Sequence, residues 1–141
     1  MKPILTDKEE LMLVDAIRGQ ELRTSAEIRI CVSYKLLWRY ERYAWKVFDR
    51  AGMRNTRQRN GVLIVMMPVM KKVIVIGDTG INAVVPEDFW KTTVAAMIHE
   101  MHESTALDAL REGLTRVGDL LSVHWPREEG DVNELADEIL R

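Results

Sequence analysis

The sequence has few of the features that would place it outside an intracellular setting. Its 141 residues contain one cysteine, Cys31, so no internal disulfide can form. A reducing compartment fits this count, and a secreted domain without disulfides is the alternative. The longest apolar run, residues 62–70, is too short to span a bilayer, and residues 1–7 lack the apolar core of a signal peptide. A cytoplasmic location is therefore expected.

The chain also lacks a large excess of charge and the familiar catalytic motifs. Its formal net charge is −2, so the chain as a whole has no basic excess that would favour nucleic acid or an anionic membrane, and no direct insertion into a membrane is expected. No P-loop, dinucleotide fingerprint or nucleophile elbow occurs. The apolar fraction of 47% and the charged fraction of 30% are typical of a globular chain. A single domain over residues 1–141 is expected.

The periodicity of apolar residues predicts the order helix, strand, helix, strand, strand, helix, helix. The predicted segments are helices at about 7–23 and 37–51, strands at 27–34, 61–67 and 72–77, a loop at 78–82, and two helices between Pro86 and Pro126. Residues 130–141 are expected to form a tail or a short helix, because Asp131 and Glu134 have capping spacing.

The connections between the strands predict a mixed sheet. Residues 68–71 are too few for a crossover, so the second and third strands should form an antiparallel hairpin. The first two strands are joined by a helix and should be parallel. Both strands then begin at the edge of the sheet where the third strand ends.

Polar residues from three distant segments should meet at that edge. One opens the first strand, three precede the second, and three follow the third: Glu27; Thr56, Arg59 and Asn60; Asp78, Thr79 and Gly80. Carboxylate and amide oxygens suit a hard cation such as Ca²⁺. The alternative is a structural ion pair of Arg59 with Glu27 or Asp78 and no ligand.

The segment 35–59 holds eight basic and two acidic residues, whereas residues 99–141 hold eleven acidic and four basic ones. Aromatic residues lie within the basic segment: Trp38, Tyr40, Tyr43, Trp45 and Phe48. They fit an anion- or nucleic-acid-binding patch, or a helix with an aromatic core face and a solvated basic face. Helical spacing favours the second interpretation.

Two further residue types have a plain and a chemical interpretation. Cys31 has apolar neighbours and no adjacent base, so a packed thiol is favoured over a nucleophile. His99 and His102 are three residues apart on a predicted helix, which differs from the zinc-binding His-Glu-x-x-His pattern. A polar stripe facing solvent is favoured for them.

The assembled pattern resembles the TPM domain family, in the branch made of soluble single domains. The resemblance covers nearly the whole chain and rests on segments in a fixed order: Ser25–Ile30, Ala44–Met53, Thr56–Ile64, Ile76–Asn82, Val85–Trp90 and Asp131–Ile139. It implies a Rossmann-like α/β/α sandwich with a central mixed sheet.

The resemblance also implies function. Some relatives bind Ca²⁺, and acid phosphatase activity has been proposed for a plant relative. By analogy Asp78 is the leading metal ligand, Glu27 and Asn60 are its neighbours, and Asp88 is a secondary candidate. Thr56, Arg59, Thr79 and Gly80 would support this site, and no catalytic residue is assigned.

Three hypotheses follow. The first is a domain that binds Ca²⁺, or alternatively Mg²⁺, with weak phosphatase-like activity. The second is a non-catalytic interaction module for a protein partner in a membrane or envelope, motivated by the opposed charges and by aromatics near Trp38 and Tyr40 that are expected to be exposed. The third is a polar edge with a purely structural role.

Overall fold

A computed structural model describes residues 3–128 and 138–141 of the chain. Within them lie the strands β1 (Glu27–Val32), β2 (Gly61–Met67) and β3 (Lys72–Gly77). The helices are α1 (Asp7–Glu21), α2 (Tyr40–Arg50), α3 (Thr79–Asn82), α4 (Glu87–Glu103) and α5 (Ala106–His124). A 3₁₀ turn, Met53–Asn55, follows α2. The described part of the chain is therefore a mixed α/β fold.

The sheet has the predicted topology. Its strand order is β1-β2-β3, with β1 parallel to β2 and β2 antiparallel to β3. The register places Glu27 beside Gly61 and Val62 beside Gly77. The short turn between β2 and β3 and the helical connection between β1 and β2 were sufficient to predict both pairings.

Helices cover both faces of the sheet. Ile28, Ile30 and Val32 share one face, as predicted, and pack in a core with residues of α1, α4 and α5. The other face packs against α2, where Val47 and Phe48 meet Leu63 and Val65. All seven residues of β2 are buried, so its continuous apolar run reflects a central strand covered on both faces.

The helix boundaries follow from local hydrogen bonds. Thr6 and Glu9 form the predicted capping box, and α1 starts directly after them. Gly52 takes the predicted left-handed conformation, with φ of 72°, and turns the chain after the end of α2. The start of α2 was predicted three residues too early. The Leu37 amide donates to the sulfur of Met70 at 3.3 Å, which holds the preceding segment as a loop.

Three other sequence predictions were wrong in detail. Residues 79–82 form the short helix α3 instead of a loop, because the Asp78 side chain caps its first turn. Pro86 is the N-cap of α4 rather than its first residue. A Cβ at Gly113 or Gly118 would meet Met97 of α4 or Gln20 of α1, so these glycines serve helix–helix contacts and not contacts with the sheet. The short final helix predicted from Asp131 and Glu134 lies outside the described residues.

The last residues of the chain lie beside β1. Leu140 accepts from the Val32 amide at 2.9 Å and donates to the Ile30 carbonyl at 2.8 Å. These bonds satisfy part of the outer edge of β1, which would otherwise be open to pairing with another chain. None of the helices in the described ranges has the length and apolar character needed to cross a bilayer.

Candidate functional site

The three polar segments named from the sequence come together at one edge of the sheet. Glu27 pairs in register with Gly61, and the Asp78 amide donates to the Gly61 carbonyl at 3.0 Å. Asn60 directly precedes Gly61. The start of β1, the start of β2 and the end of β3 are thus side by side. Glu27, Asn60 and Asp78 are called the carboxylate rim below.

Gly61 separates the two carboxylates of the rim. Successive side chains of a strand point to opposite faces, so Glu27 and Asp78 both lie on the face that packs against α2. Adjacent strands are about 4.8 Å apart, so the two Cα atoms are roughly 10 Å apart with Gly61 between them. A Cβ at Gly61 would lie 3.1 Å from the Met53 carbonyl oxygen. This backbone oxygen therefore also faces the rim.

Asp78 is the most confined acidic group at the rim. Its side chain is fully buried, and Oδ1 accepts from the Thr79 amide at 2.7 Å. Its Oδ2 atom is also buried and has no hydrogen-bond partner within residues 3–128 and 138–141. A buried carboxylate oxygen is costly unless a donor, a water molecule or a cation satisfies it. The environment of Asp78 is therefore suited to a further polar ligand.

Arg54 supplies a positive charge beside Asp78 that the sequence did not reveal. One of its Nη atoms lies 3.7 Å from Asp78 Oδ1, and its Nε lies 2.5 Å from Asp49 Oδ1. The guanidinium also lies over two rings of α2, 5.0 Å from the centroid of Trp45 and 5.5 Å from that of Phe48. These contacts fix its position through ion pairing and cation–π attraction.

The loop before β2 is locked onto the turn that follows β3. The backbone N–H of Asn60 donates to Thr56 Oγ1 at 3.2 Å, and the backbone N–H of Gly80 donates to the Arg59 carbonyl at 2.9 Å. A Cβ at Gly80 would lie 2.3 Å from the Gln58 carbonyl oxygen, so only glycine permits this approach. Arg59 itself has a φ of 51°, a left-handed conformation that is unusual for a non-glycine residue.

The remaining predicted site residues differ in exposure. Thr56 and Asn60 are buried at the rim, whereas the side chains of Arg59 and Thr79 are exposed. Asp88 is exposed in the first turn of α4, where the helix dipole favours its charge. Among the described residues, the cation that lies closest to Asp78 is Arg54. The ion pair at Asp78 is therefore made by Arg54 and not by Arg59, the arginine considered from the sequence.

No ready-made cluster of metal ligands is seen within the described ranges. There, no three His, Cys, Asp or Glu side chains converge closely enough to hold an ion. His99 and His102 are exposed on α4, in line with the favoured interpretation of a polar stripe. A cation at the rim would therefore depend on Asp78 and Glu27 together with amide, carbonyl and water oxygens.

The basic segment fits its favoured interpretation only in part. Tyr43 and Phe48 are buried in the core beneath α2, and the charged residues of this helix are exposed. Trp38 does not belong to the aromatic core face, because it is 98% exposed in the loop before α2. Cys31 is buried, and burial raises the pKa of its thiol, which suits a packed residue rather than a nucleophile.

Comparison with solved structures shows where this fold recurs. The chain superposes on the BA42 protein of the psychrophilic bacterium Bizionia argentinensis with a TM-score of 0.91 and 35% identity, covering 99% of this chain and 97% of that one. The N-terminal domain of a P. gingivalis protein matches with a TM-score of 0.72 and 17% identity, covering 89% and 83% of the two chains.

A more distant likeness extends to the N-terminal domain of the cg2496 protein from Corynebacterium glutamicum. Its TM-score is 0.57 at 10% identity, with 90% of this chain and 77% of that one covered. The two likenesses below 25% identity support the fold alone. None of the curated proteins matches the chain.

The family model described as the TPM domain matches residues 2–120. This range includes α1 to α4, most of α5, the complete sheet and every residue of the carboxylate rim. The resemblance seen in the sequence is therefore confirmed, and the chain belongs to the TPM domain family.

Proposed function

We propose that this protein is a divalent-cation-binding domain in which Asp78 is the central ligand. The single observation that supports the proposal most strongly is the Oδ2 atom of Asp78, which is buried and has no hydrogen-bond partner among the described residues. A cation at this atom would satisfy it and offset the cost of burying the carboxylate.

The donor set around Asp78 fits an oxygen-seeking cation. Glu27 adds a second buried carboxylate on the same face, the Met53 carbonyl lies over Gly61 between the two carboxylates, and Asn60 is buried directly before Gly61, from where its side-chain amide would have to turn toward the ion. Ca²⁺ accepts carboxylate, amide and carbonyl oxygens in irregular geometry, whereas Mg²⁺ requires a near-ideal octahedron. Ca²⁺ is therefore the preferred ion in this proposal, and Asp88 contributes at most from a separate, exposed position.

Arg54 sets the strength expected of this site. Its guanidinium is a competing positive charge 3.7 Å from Asp78 Oδ1. Like charges close together repel, so the cation should bind weakly unless an anion neutralises the pair. A phosphate group would do so, because it can bridge a guanidinium and a bound cation.

This combination supports weak hydrolysis of phosphate monoesters as the activity of the site. A bound cation supplies polarisation of the phosphoryl oxygens and charge for the leaving group. Arg54, held by Asp49 and the rings of Trp45 and Phe48, would orient the phosphate. Arg59 would add charge from the rim of the site, and no nucleophile or general base is assigned.

A residue-resolved NMR titration with CaCl₂ and then MgCl₂ tests the binding step. Amide shifts are expected at residues 27, 53–61 and 77–82, with Ca²⁺ producing them at lower concentration than Mg²⁺. The variant Asp78→Asn should lose them, because it removes the negative charge while keeping nearly the same shape. The exposed Asp88→Asn is the matched control and should titrate like the unaltered protein. Equal shifts in all three proteins would contradict the assignment of Asp78.

Release of phosphate from p-nitrophenyl phosphate tests the catalytic step separately. The unaltered protein with Ca²⁺ or Mg²⁺ should exceed both a chelator-treated sample and Asp78→Asn by about tenfold or more. If cation binding is seen by NMR and no such difference in hydrolysis appears, the domain binds cations without catalysis.

A further inference from the structure

The end of the sheet opposite the carboxylate rim presents exposed apolar side chains. The loop 33–39 follows β1 and the turn 68–71 follows β2, so both lie at the far edge of the sheet. In this loop Trp38 is 98% exposed and Leu36 is 73% exposed. A tryptophan that buries almost nothing contributes little to the fold. The loop 33–39, the turn 68–71 and the outer face of α2 are called the basic tip below.

Positive side chains surround these apolar residues. Arg39, Arg42, Lys46 and Arg50 are spaced by three or four residues, so they form one row along α2 and its N-cap. Lys35 precedes them in the loop, and all five are exposed. Within residues 3–128 and 138–141, Arg39, Arg42 and Lys46 take part in no ion pair with a carboxylate.

Two hollows lie at the basic tip, one lined mainly by basic side chains and the other by apolar and aromatic ones. A groove of about 640 Å³ is lined by the basic row together with Lys35, Leu37, Trp38 and Tyr43. A hollow of about 360 Å³ is lined by apolar and aromatic groups only: Leu36, Leu37, Trp38, Tyr40 and Met70. Leu37 and Trp38 line both. An occupant that matches both hollows must carry an anionic group directly next to an apolar one.

We infer that the basic tip docks on the surface of a membrane that contains anionic phospholipid. The phosphate groups would lie in the groove of the basic row, and Trp38 and Leu36 would enter the boundary between headgroups and acyl chains. Tryptophan is favoured at this boundary, and each nearby Lys or Arg strengthens attraction to an anionic leaflet. The docking is peripheral, and it is independent of cation binding at the rim.

The distribution of charge favours a membrane over other polyanions. The chain is −2 overall, whereas the basic row and Lys35 place five exposed cations on one surface, so an anionic membrane would attract that surface locally. Nucleic acid would match the basic row but offers no aliphatic partner for Leu36. An acidic polypeptide could match both features, and it is therefore treated as a competing outcome of the test.

Sedimentation with lipid vesicles tests the inference on the full chain. The protein should pellet with vesicles of phosphatidylcholine containing about 30 mol% phosphatidylglycerol, and not with phosphatidylcholine alone. Arg39→Glu/Arg42→Glu and Leu36→Ser/Trp38→Ala should each lower the partition coefficient by about tenfold or more. Salt should weaken the binding of the unaltered protein.

Matched controls use equally exposed residues elsewhere. Leu22 is also 73% exposed, so Leu22→Ser tests whether any exposed leucine suffices. Lys8→Glu/Lys91→Glu changes the net charge as much as the arginine pair does, at exposed positions on α1 and α4. Both controls should pellet like the unaltered protein. Equal loss in the controls and in the tip variants would overturn the inference.

Tryptophan fluorescence reports whether the tip itself contacts the lipid. The unaltered protein should show a blue shift on anionic vesicles. Trp38→Phe should keep binding and lose the shift, since Trp45 packs against Phe48 and Arg54, and Trp90 and Trp125 lie in α4 and at the end of α5. A shift that persists in Trp38→Phe would overturn the inference. So would poly-glutamate binding that matches vesicle binding in affinity, or a dimer in light scattering that Trp38→Ala dissociates.

Discussion

The two ends of the sheet deal with polar and apolar groups in opposite ways. At the carboxylate rim, a charged group is buried: Asp78 has no exposed surface, and Arg54, whose side chain is 43% exposed, lies against aromatic rings and two carboxylates. At the basic tip, the large apolar groups are exposed, with Trp38 and Leu36 in solvent among cations. Folding alone favours neither arrangement, since a buried charge costs free energy and an exposed tryptophan gives none of the stability that its burial would provide.

This comparison separates residues whose environment favours folding from residues whose environment does not. Between the two ends, β2 is entirely buried and the side chains of both cores are apolar. Arg29, in the middle of β1, is a further buried charge, and its guanidinium lies 3.8 Å from Glu138 Oε1. A residue that is unfavourable for stability yet precisely placed by its neighbours is a candidate for binding.

The largest expected effect contrasts two aromatic residues of the same segment. Phe48→Ala should lower the free energy of unfolding by about 4 kcal/mol, because the ring is fully buried between α2 and the sheet. Trp38→Ala should change it by less than about 0.5 kcal/mol, because the side chain is exposed. Urea unfolding followed by circular dichroism measures both. A large loss in Trp38→Ala would mean that the tip is structural.

The second effect concerns the backbone contact that closes the rim. Gly80→Ala places a methyl group against the carbonyl oxygens of Gln58 and Arg59, and a loss of about 3 kcal/mol is expected. Gly19 is the matched control, because a Cβ there meets nothing within 4 Å. Gly19→Ala should stabilise α1 by about 0.5–1 kcal/mol. Thermal unfolding of both variants measures the two changes. Similar melting temperatures would contradict the close approach of the backbone at Gly80.

The sequence predicted the position of the carboxylate rim in the sheet better than it predicted which side chains surround the rim. The pairing of Glu27 with Gly61 and the arrival of Asp78 beside them followed from strand direction, which short connections determine. Arg54 was missed, because its approach to Asp78 depends on the reversal of the chain at Gly52 and on the rings of α2. No sequence period encodes such a contact, although Asp49 and the nearby aromatics are its natural partners.

At the basic tip, the sequence predicted the composition, and only the hypothesis of an interaction module treated the aromatics near Trp38 as exposed. The helical spacing of Tyr43 and Phe48 identified the buried face of α2. Trp38 was grouped with them, but the bond from the Leu37 amide to Met70 keeps its segment outside the helix. Periodicity applies only within a regular element, so it could not show that this tryptophan is exposed. Whether the rim residues bind a metal stays a prediction.

A smaller effect tests whether Arg54 serves stability or binding. Arg54→Met keeps an apolar chain over Trp45 and Phe48 but removes the charge beside Asp78. A loss of about 1–2 kcal/mol in unfolding free energy is expected, since the buried carboxylate loses its partner. If Asp78 is a cation ligand, the variant should bind Ca²⁺ about fivefold more tightly, because a repelling charge is gone. Calorimetric titration measures this gain, and unchanged affinity would support a purely structural ion pair.

The smallest expected change lies between the two ends, at Cys31. Its thiol is buried, and burial raises the pKa because the thiolate is poorly solvated. At pH 8 the folded protein should therefore react with a disulfide reagent such as DTNB only through unfolding, at a rate at least about a hundredfold below that in urea. Direct reaction of the folded protein should stay slow when the pH is raised to 9, since the raised pKa keeps the buried sulfur protonated. Rapid labelling of the folded protein would show instead that the thiol is accessible to solvent. The contrast between a buried apolar centre and the two ends of the sheet would then not hold at Cys31.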